Sequence, residues 1–353
     1  MKRDFFFLLM MLAAVMALAA CGSSVEDGPV TLTVMSHDSF TVSDEILAAF
    51  TEETGITIEL LPAGDAGEAL NQAILAKDDP LADVFFGVDN SFLGRALASE
   101  IFIPYESPLL AEIPDRFELD ESHHLLPVDF GDVCLNYDKA YFADNGLAVP
   151  ASLAELTDPA YAGLLVVENP ATSSPGLAFL LATIDQFGET GDYTYLDYWA
   201  DLRANDVLVM NGWSEAYYGS FTVASDGDRP LVVSYATSPP AEVIFADPPV
   251  SESPSGNIVA PGSCFRQVEF VGILAGTEHE AAAQQFIDYM LSVPFQEDIP
   301  LNMFVFPANE NAELPAEFVE FGDIAESPAE ISPEEIDANR DVWIEAWTEV
   351  VLR

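Results

Sequence analysis

From residue 30 onward, short apolar runs alternate with segments in which apolar positions recur every three or four residues. The short runs are rich in β-branched residues and predict strands at 30–35, 56–61, 82–88, 164–167, 230–235 and 268–274. The periodic segments predict helices at 46–53, 66–77, 176–187, 193–205, 278–291 and 333–352. Strands and helices in alternation are typical of an α/β fold that has a parallel sheet with helices on both faces.

Acidic residues follow three of the predicted strands. Asp38 comes after the first strand, Asp65 after the second, and Asp89 at the end of the third. Ligands of open α/β sheets bind at the loops that follow the carboxyl ends of the strands. We therefore expect these three carboxylates to lie near a bound ligand.

Three consecutive hydroxyl residues, Thr172, Ser173 and Ser174, precede Pro175 and an apolar segment of helical length. One hydroxyl is enough to cap a helix, and proline is well tolerated at the first helical position. The remaining donors and the exposed amides of the first turn can hold an electron-rich ligand atom. Both interpretations, a simple cap and a ligand-binding turn, are open at this point.

Aromatic residues occupy two further loops of the same half of the chain. Trp213 follows a glycine and precedes a predicted helix, and Tyr235 ends a predicted strand. Thr237 and Ser238 add two hydroxyl groups to the second loop. Ring faces attract an organic cation by roughly 0.5–2 kcal/mol, and a carboxylate balances its charge. These loops, together with the three aspartates, predict a site for a positively charged organic ligand.

The charge balance is extreme, with 60 Asp and Glu against 11 Lys and Arg and a formal net charge of −49. This charge excludes nucleic acid and anionic lipid surfaces as partners, since both require basic patches. A solubility adaptation, for example to a saline habitat, is the common reason for such an acidic surface, so the charge excludes partners but does not identify one. Half of the 353 residues are hydrophobic, so the chain can bury a core large enough for two lobes.

The N-terminus has the pattern of an export signal with a lipid-attachment cysteine. Lys2 and Arg3 precede an apolar run at 5–20, and small residues stand directly before Cys21. The alternative is an uncleaved anchor, but the run is shorter than the roughly twenty residues of a membrane span. We therefore predict a signal peptide at 1–21 with lipid on Cys21, a tether at 22–29, and a body outside the cytoplasmic membrane.

Cys134 and Cys264 are the cysteines that remain. Cysteines of exported proteins often pair, so these two are candidates for a disulfide. The sequence does not give the distance between them, and two free thiols are the alternative.

Patterns that would indicate an enzyme or a metal centre are weak. There is no His-Glu-x-x-His motif, no paired-cysteine motif and no phosphate loop. The segment 212–216 around Ser214 lacks the second glycine of a nucleophile elbow, which makes a secreted serine hydrolase a distant alternative. Tyr217 and Tyr218 leave open a ferric-ion carrier, and a polyamine carrier is a second alternative. We expect no cofactor, no metal and no catalysis.

Six motifs together resemble those of the periplasmic thiamine-binding proteins of bacterial ABC transporters, within the two-lobed solute-binding proteins. The motifs are HDSF at 37–40, GVDN at 87–90, DFG at 129–131 with NYDK at 136–139, TSSPGL at 172–177, GWSEAY at 212–217 and SYATSP at 234–239. Their order and spacing make the resemblance specific, and it covers the chain from residue 31 to 353.

The resemblance implies a type II periplasmic binding protein, with two α/β lobes that each hold a mixed sheet flanked by helices and are joined by crossover strands. Lobe I would comprise 30–130 plus 270–353, and lobe II 131–269. The cleft would hold thiamine or its phosphates, and the family's ligand positions fall on the following residues: Asp65, Ala66, Ser173, Ser174, Trp213, Tyr235, Ala236, Thr237 and Ser238. The implied partner is the permease of an ABC importer, and a monomer is expected.

The chain departs from the family pattern at four positions. His37 stands where relatives have tyrosine, Ala66 where they have glycine, and Phe304 where they have a tryptophan wall; an aromatic residue near Ala241 is also missing. The aromatic cage is therefore expected to be thinner. Because the chain is poor in lysine, we expect thiamine itself to be preferred over its phosphates.

Overall fold

A computed structural model describes residues 30–353 of the chain. The predicted export signal, Cys21 and the tether at 22–29 lie outside the described residues. Thr31–Arg353 forms one compact unit. Within the described range, none of the helices combines the length and the apolar character needed to cross a membrane.

The described residues form eleven strands and twelve α-helices. The strands are β1 (Thr31–Ser36), β2 (Thr57–Pro62), β3 (Val84–Asp89), β4 (Phe102–Ile103), β5 (Leu126–Asp138), β6 (Leu165–Glu168), β7 (Leu208–Met210), β8 (Leu231–Tyr235), β9 (Ser255–Ile258), β10 (Phe265–Leu274) and β11 (Phe306–Pro307). The helices are α1 (Asp44–Thr54), α2 (Ala66–Leu75), α3 (Leu93–Ala98), α4 (Lys139–Asn145), α5 (Ser174–Phe187), α6 (Tyr195–Ala204), α7 (Trp213–Gly219), α8 (Ser238–Ile244), α9 (Glu280–Leu291), α10 (Val293–Asn302), α11 (Ala316–Phe321) and α12 (Pro333–Val351).

The strands join into one mixed sheet with the order β2-β1-β3-β10-β5-β8-β6-β7. The strands are parallel at both ends of this order, where β1 pairs with β2 and β3, and β6 pairs with β7 and β8. In the middle, β10 is antiparallel to β3 and β5, and β5 is antiparallel to β8. The parallel sheet predicted from the alternation thus exists at each end, and the two halves are hydrogen-bonded through the long strands β5 and β10.

Local signals in the sequence explain where the elements begin and end. The hydroxyl of Ser43 accepts the Ile46 N–H at the start of α1, and Gly55 ends that helix in the left-handed conformation at φ +74°. Ser332 caps α12 in the same way as Ser43 caps α1. Because these caps can be read from the sequence, the predicted bounds of both helices lie within two residues of the observed ones.

The two long middle strands are fixed to each other by an ion pair and a disulfide. The Arg266 guanidinium donates two hydrogen bonds of 2.8 Å to the fully buried carboxylate of Asp132. Cys134, two residues after Asp132, is bonded to Cys264, two residues before Arg266, with the sulfur atoms 2.09 Å apart. The Ala325 N–H donates to the same Asp132 carboxylate over 2.7 Å, so the C-terminal segment is attached here as well.

The C-terminal helix α12 packs against both α3 and α6. The rings of Trp347 and Trp199 meet edge to face with centroids 5.4 Å apart, and both side chains are buried. At the other end of the helix, the Arg340 guanidinium lies 4.4 Å from the centre of the Phe92 ring. The segment before this helix contains the short helix α11.

Candidate ligand-binding site

A buried hydrogen-bond network joins the end of β3 to the start of α5. The Asp89 carboxylate accepts the hydroxyl hydrogens of Ser91 and Ser174. The Gln267 side-chain amide donates to Asp89 over 3.0 Å and to the Ser174 hydroxyl over 2.7 Å. The Tyr235 phenol in turn donates to Gln267 Oε1 over 2.9 Å. Two predicted ligand residues, Ser174 and Tyr235, are therefore held together with Asp89.

The three consecutive hydroxyl residues at 172–174, which form the turn at the start of α5, have different structural roles. Ser173 Oγ accepts the Gly176 N–H over 3.4 Å and caps α5. Thr172 Oγ1 donates to the carbonyl of Asn211 over 2.6 Å, which attaches this turn to the loop before Trp213. Ser174 is the hydroxyl that reaches Asp89. The predicted cap is present, and the two other hydroxyls connect the turn to neighbouring loops.

Trp213 begins α7 and is half-buried. Its indole N–H donates to Ser234 Oγ over 2.8 Å, and Ser234 Oγ lies 2.9 Å from Ser238 Oγ. The Tyr217 ring stacks on the indole with centroids 5.0 Å apart, and the Tyr217 hydroxyl donates to Glu242. The Tyr218 ring also meets the indole edge to face with centroids 5.3 Å apart, so these contacts fix the plane of the indole.

The loop after β8 brings Phe304 to the same end of the sheet. Thr237 Oγ1 donates to the Phe304 carbonyl, and Phe304 is held in the left-handed region at φ +57°. This conformation is unfavourable for a residue with a side chain, so the surrounding contacts hold it in place. Ala236 is fully buried. Phe245, at the end of α8, meets Phe304 edge to face at 5.2 Å and is 61% exposed.

The two aspartates of the first loops have different environments. Asp38 is exposed, and its Oδ1 accepts the Gly64 N–H over 2.8 Å, so it holds a turn. Asp65 precedes α2, and its side chain makes no cap hydrogen bond. Burial by the surrounding protein, followed by the charge of Asp89, raises the pKa of Asp65 to about 6. Asp65 nevertheless keeps an exposed surface, as expected for a carboxyl on the wall of a crevice. Its neighbour Ala66 is buried.

Sequence reasoning missed a second group of ionisable residues beside Asp89. His37 Nε2 lies 3.0 Å from Glu269 Oε1. Glu269 is opposite Asp129 in the pairing of β10 with β5, and opposite Asp89 in the pairing of β10 with β3. The available signal was a charged residue in the middle of each of two otherwise apolar strands. A single sequence does not give the register that places these residues side by side.

Glu168, the last residue of β6, is 1% exposed. Neither of its carboxyl oxygens has a hydrogen-bond partner among the described residues. Burial raises the pKa of Glu168 well above the ordinary value of a glutamate. Glu168 was not predicted as a functional residue, and it immediately precedes the turn that carries the three hydroxyls.

Comparison with known proteins identifies the family. A family model described as "Bacterial extracellular solute-binding protein" matches residues 79–320, which is more than half of the chain. The chain is a bacterial extracellular solute-binding protein. The predicted fold class is thereby confirmed.

Individual relatives of this solute-binding protein share the same printed description. The "Thiamine-binding periplasmic protein" of Escherichia coli is 30% identical over 346 residues, covering 95% of this chain and 98% of the relative. The protein of the same name from Salmonella typhimurium is 29% identical with the same coverage. A solved structure of a "Periplasmic thiamin binding protein" superposes with a TM-score of 0.78 at 27% identity, over 92% of this chain and 96% of that one.

The electrostatic surroundings of Tyr235 in this solute-binding protein are acidic. Burial raises the pKa of the Tyr235 phenol well above its ordinary value, and four carboxyl groups raise it further: Glu269, Asp89, Asp65 and Glu168. These carboxyls come from four different elements and meet at the carboxyl ends of β3, β6 and β8. Such surroundings favour a positively charged ligand and disfavour an anion.

Tyr217 and Tyr218, the adjacent tyrosines that left a ferric-ion carrier as an alternative, differ from each other in their surroundings in this solute-binding protein. The Tyr217 phenol is buried and engaged with Glu242, whereas Tyr218 is exposed. The two rings meet edge to face with centroids 5.2 Å apart. Among residues 30–353, no three His, Cys, Asp or Glu side chains are arranged to hold a metal ion.

Proposed function

We propose that this solute-binding protein binds thiamine and delivers it to the membrane permease of an ABC importer. The observation that carries the proposal is the arrangement of the Trp213 indole, the Tyr235 phenol and the surrounding carboxyls at one end of the sheet. Thiamine combines a cationic thiazolium ring with a flat aminopyrimidine. An aromatic wall and an acidic wall together match both properties.

The hydroxyl residues at the start of α5 support binding of the uncharged end of thiamine. The hydroxyethyl group of thiamine can exchange hydrogen bonds with Ser173 or Ser174 at the start of α5. A phosphate would meet the Asp89 carboxylate, which already lies at this helix N-terminus and accepts from Ser174. Because two anions in the same place repel each other, we propose that thiamine is preferred over its mono- and diphosphate.

Three further features belong to the same proposal. The two lobes would close around the ligand; lobe I comprises 30–130 and 270–353, and lobe II comprises 131–269. The ligand drives this closure only by binding the closed form more tightly than the open form. Lipid on Cys21 would tether a monomeric body to the membrane. The permease would recognise the closed, loaded form.

A thermal-shift panel tests the proposal directly. Thiamine should raise the unfolding temperature of the purified protein, since a ligand that binds only the folded state stabilises it. Thiamine mono- and diphosphate should raise it less, and spermidine and ferric citrate should leave it unchanged. No shift with thiamine at millimolar concentration would refute the proposal. A shift with spermidine or ferric citrate alone would point to the corresponding carrier instead.

A further inference from the structure

Glu269 occupies the middle of the sheet, where the two parallel halves meet. It is opposite Asp89 on β3 and opposite Asp129 on β5. Its side chain is 17% exposed, and that of His37 is 10% exposed. Glu269 therefore combines a buried, acidic setting with a small open surface, which a ligand needs in order to reach it.

His37 lies in ion-pair contact with Glu269. The Ser39 N–H lies 3.2 Å from His37 Nδ1, so that nitrogen accepts and the hydrogen of a neutral ring is on Nε2. Nε2 lies 3.0 Å from Glu269 Oε1. Gly87, at φ +98°, leaves room for this ring, since a Cβ there would come within 2.2 Å of it. Burial lowers the pKa of His37, but the negative charges of Glu269, Asp65 and Asp89 together outweigh burial and raise it.

Asp129 supports Glu269 from the other side. It is 1% exposed, and its two carboxyl oxygens have no hydrogen-bond donor within the described part of the chain. Burial and the neighbouring Glu269 raise the pKa of Asp129 well above its ordinary value. Burial raises the pKa of Glu269, but His37 and Asp129 outweigh burial and lower it. Of these two neighbouring carboxyls, Glu269 is therefore the one whose ionised form is favoured, and Asp129 the one whose neutral form is favoured.

We infer that Glu269 is the counter-ion for the positive charge of the ligand, with His37 in ion-pair contact on one side and Asp129 beside it on the neighbouring strand. The other carboxyls are less suited to this role. Asp89 already accepts from Ser91, Ser174 and Gln267, and the carboxyl oxygens of Glu168 have no exposed surface. Asp65 is a second, more exposed carboxyl of the same wall. The inference rests on the proposed function, because it assigns a residue to the thiazolium charge.

A pair of probes that differ only in charge tests this role. Calorimetry would compare thiamine with its neutral isostere, in which a thiophene ring replaces the thiazolium. Glu269→Gln should weaken thiamine binding by about a hundredfold, as expected when one member of a buried charge pair is removed. The same variant should change the affinity for the neutral isostere by less than about threefold, since no ligand charge is left to balance.

Two further variants separate charge from structure. Glu269→Asp keeps the carboxylate and should recover most of the lost thiamine affinity. Glu345→Gln removes one exposed negative charge from α12 and should leave both affinities unchanged, which controls for net charge. Circular dichroism and thermal unfolding of each ligand-free variant show whether it folds. If Glu269→Gln fails to fold, Glu269→Asp is compared with wild type on the two probes: a carboxylate moved back by one methylene should lose a small part of the thiamine affinity and none of the affinity for the neutral isostere, and an equal change for both probes would overturn the inference.

The outcomes also separate this inference from the proposed function. If wild type binds thiamine and Glu269→Gln loses affinity for both probes equally, Glu269 is not the counter-ion. The proposed function is then unaffected. If wild type binds spermidine but not thiamine, the proposed function fails. The role of Glu269 as counter-ion is then tested by whether Glu269→Gln loses affinity for spermidine. If wild type binds only neutral or anionic ligands, both ideas fail.

Discussion

Trp213 and Ser234 are joined by a hydrogen bond of 2.8 Å from the indole N–H to the hydroxyl oxygen. Ser234 is on β8 and Trp213 is at the first position of α7. The bond therefore sets the angle of the indole relative to the strand end that carries Tyr235. The Tyr217 ring packs on one face of this indole, and we expect the indole to form a wall of the ligand cleft as well.

Replacing this indole should remove the aromatic wall of the site. Trp213→Ala should weaken thiamine binding by about a hundredfold, which corresponds to roughly 2–3 kcal/mol for a buried aromatic contact. Trp213→Phe keeps a ring but loses the N–H, and should show an intermediate loss. Isothermal calorimetry gives the affinities, and thermal unfolding controls for folding. Unchanged affinity in Trp213→Ala would remove this residue from the site.

The affinity for thiamine should depend on pH through Asp65. The pKa of this carboxyl is raised to about 6, so Asp65 is ionised above that pH and neutral below it. A cation gains from the ionised form, so binding should strengthen as the pH rises from 5 to 7. Calorimetry across this range would measure the change, and Asp65→Asn should flatten it. Any pH dependence of the affinity that remains in Asp65→Asn is due to other groups or to the ligand. If the affinity of this variant depends on pH as strongly as that of wild type, the role of Asp65 is contradicted.

Glu168 should reduce the stability of the ligand-free protein. Its folded-state pKa is raised by burial, so above the ordinary pKa the unfolded chain releases a proton that the folded chain keeps. The free energy of unfolding should therefore fall as the pH rises through this window. Glu168→Met should raise it by about 1 kcal/mol or more at pH 8, because no unpartnered carboxyl remains buried.

Urea unfolding at pH 5 and pH 8 measures this effect. The matched control is Glu345→Met on the exposed face of α12, which should leave both values nearly unchanged. Loss of stability in Glu168→Met at both pH values would show that Glu168 has a structural partner in solution.

The bond between Cys134 and Cys264 should stabilise the fold by restricting the unfolded chain. The two cysteines are separated by 130 residues, and a loop of this order is worth roughly 4–5 kcal/mol in the chain-entropy model. Adding a reductant should lower the unfolding temperature of wild type. The double variant Cys134→Ala, Cys264→Ala should start lower and not respond to reductant. Two free thiols in non-reducing mass spectrometry would rule the bond out.

The order of elements was predictable because each leaves a local signal. Ser43, Gly55 and Ser332 mark helix ends, and β-branched runs mark the strands at each end of the sheet. The single continuous sheet was not predictable, because β5 and β10 pair antiparallel across 130 residues of sequence. No local pattern encodes such a pairing, and the same pairing brings Glu269 beside Asp129.

The site was predictable where it follows strand ends and loops. Ser174, Tyr235 and Asp89 are brought into one network, whereas Asp38 holds a turn with Gly64. Gln267 was missed because a polar residue inside a strand has no distinctive pattern. Its role depends on three partners that come from three separate parts of the chain.

The last helix, α12, has a consequence for motion. It contacts α3, in the predicted first lobe, and α6, in the predicted second lobe. It therefore forms a further physical link between the two predicted lobes, in addition to β5 and β10. A swing about those two strands alone would pull Trp347 away from Trp199, so the amplitude of any opening is limited by how far this helix can slide or bend before the indole contact breaks.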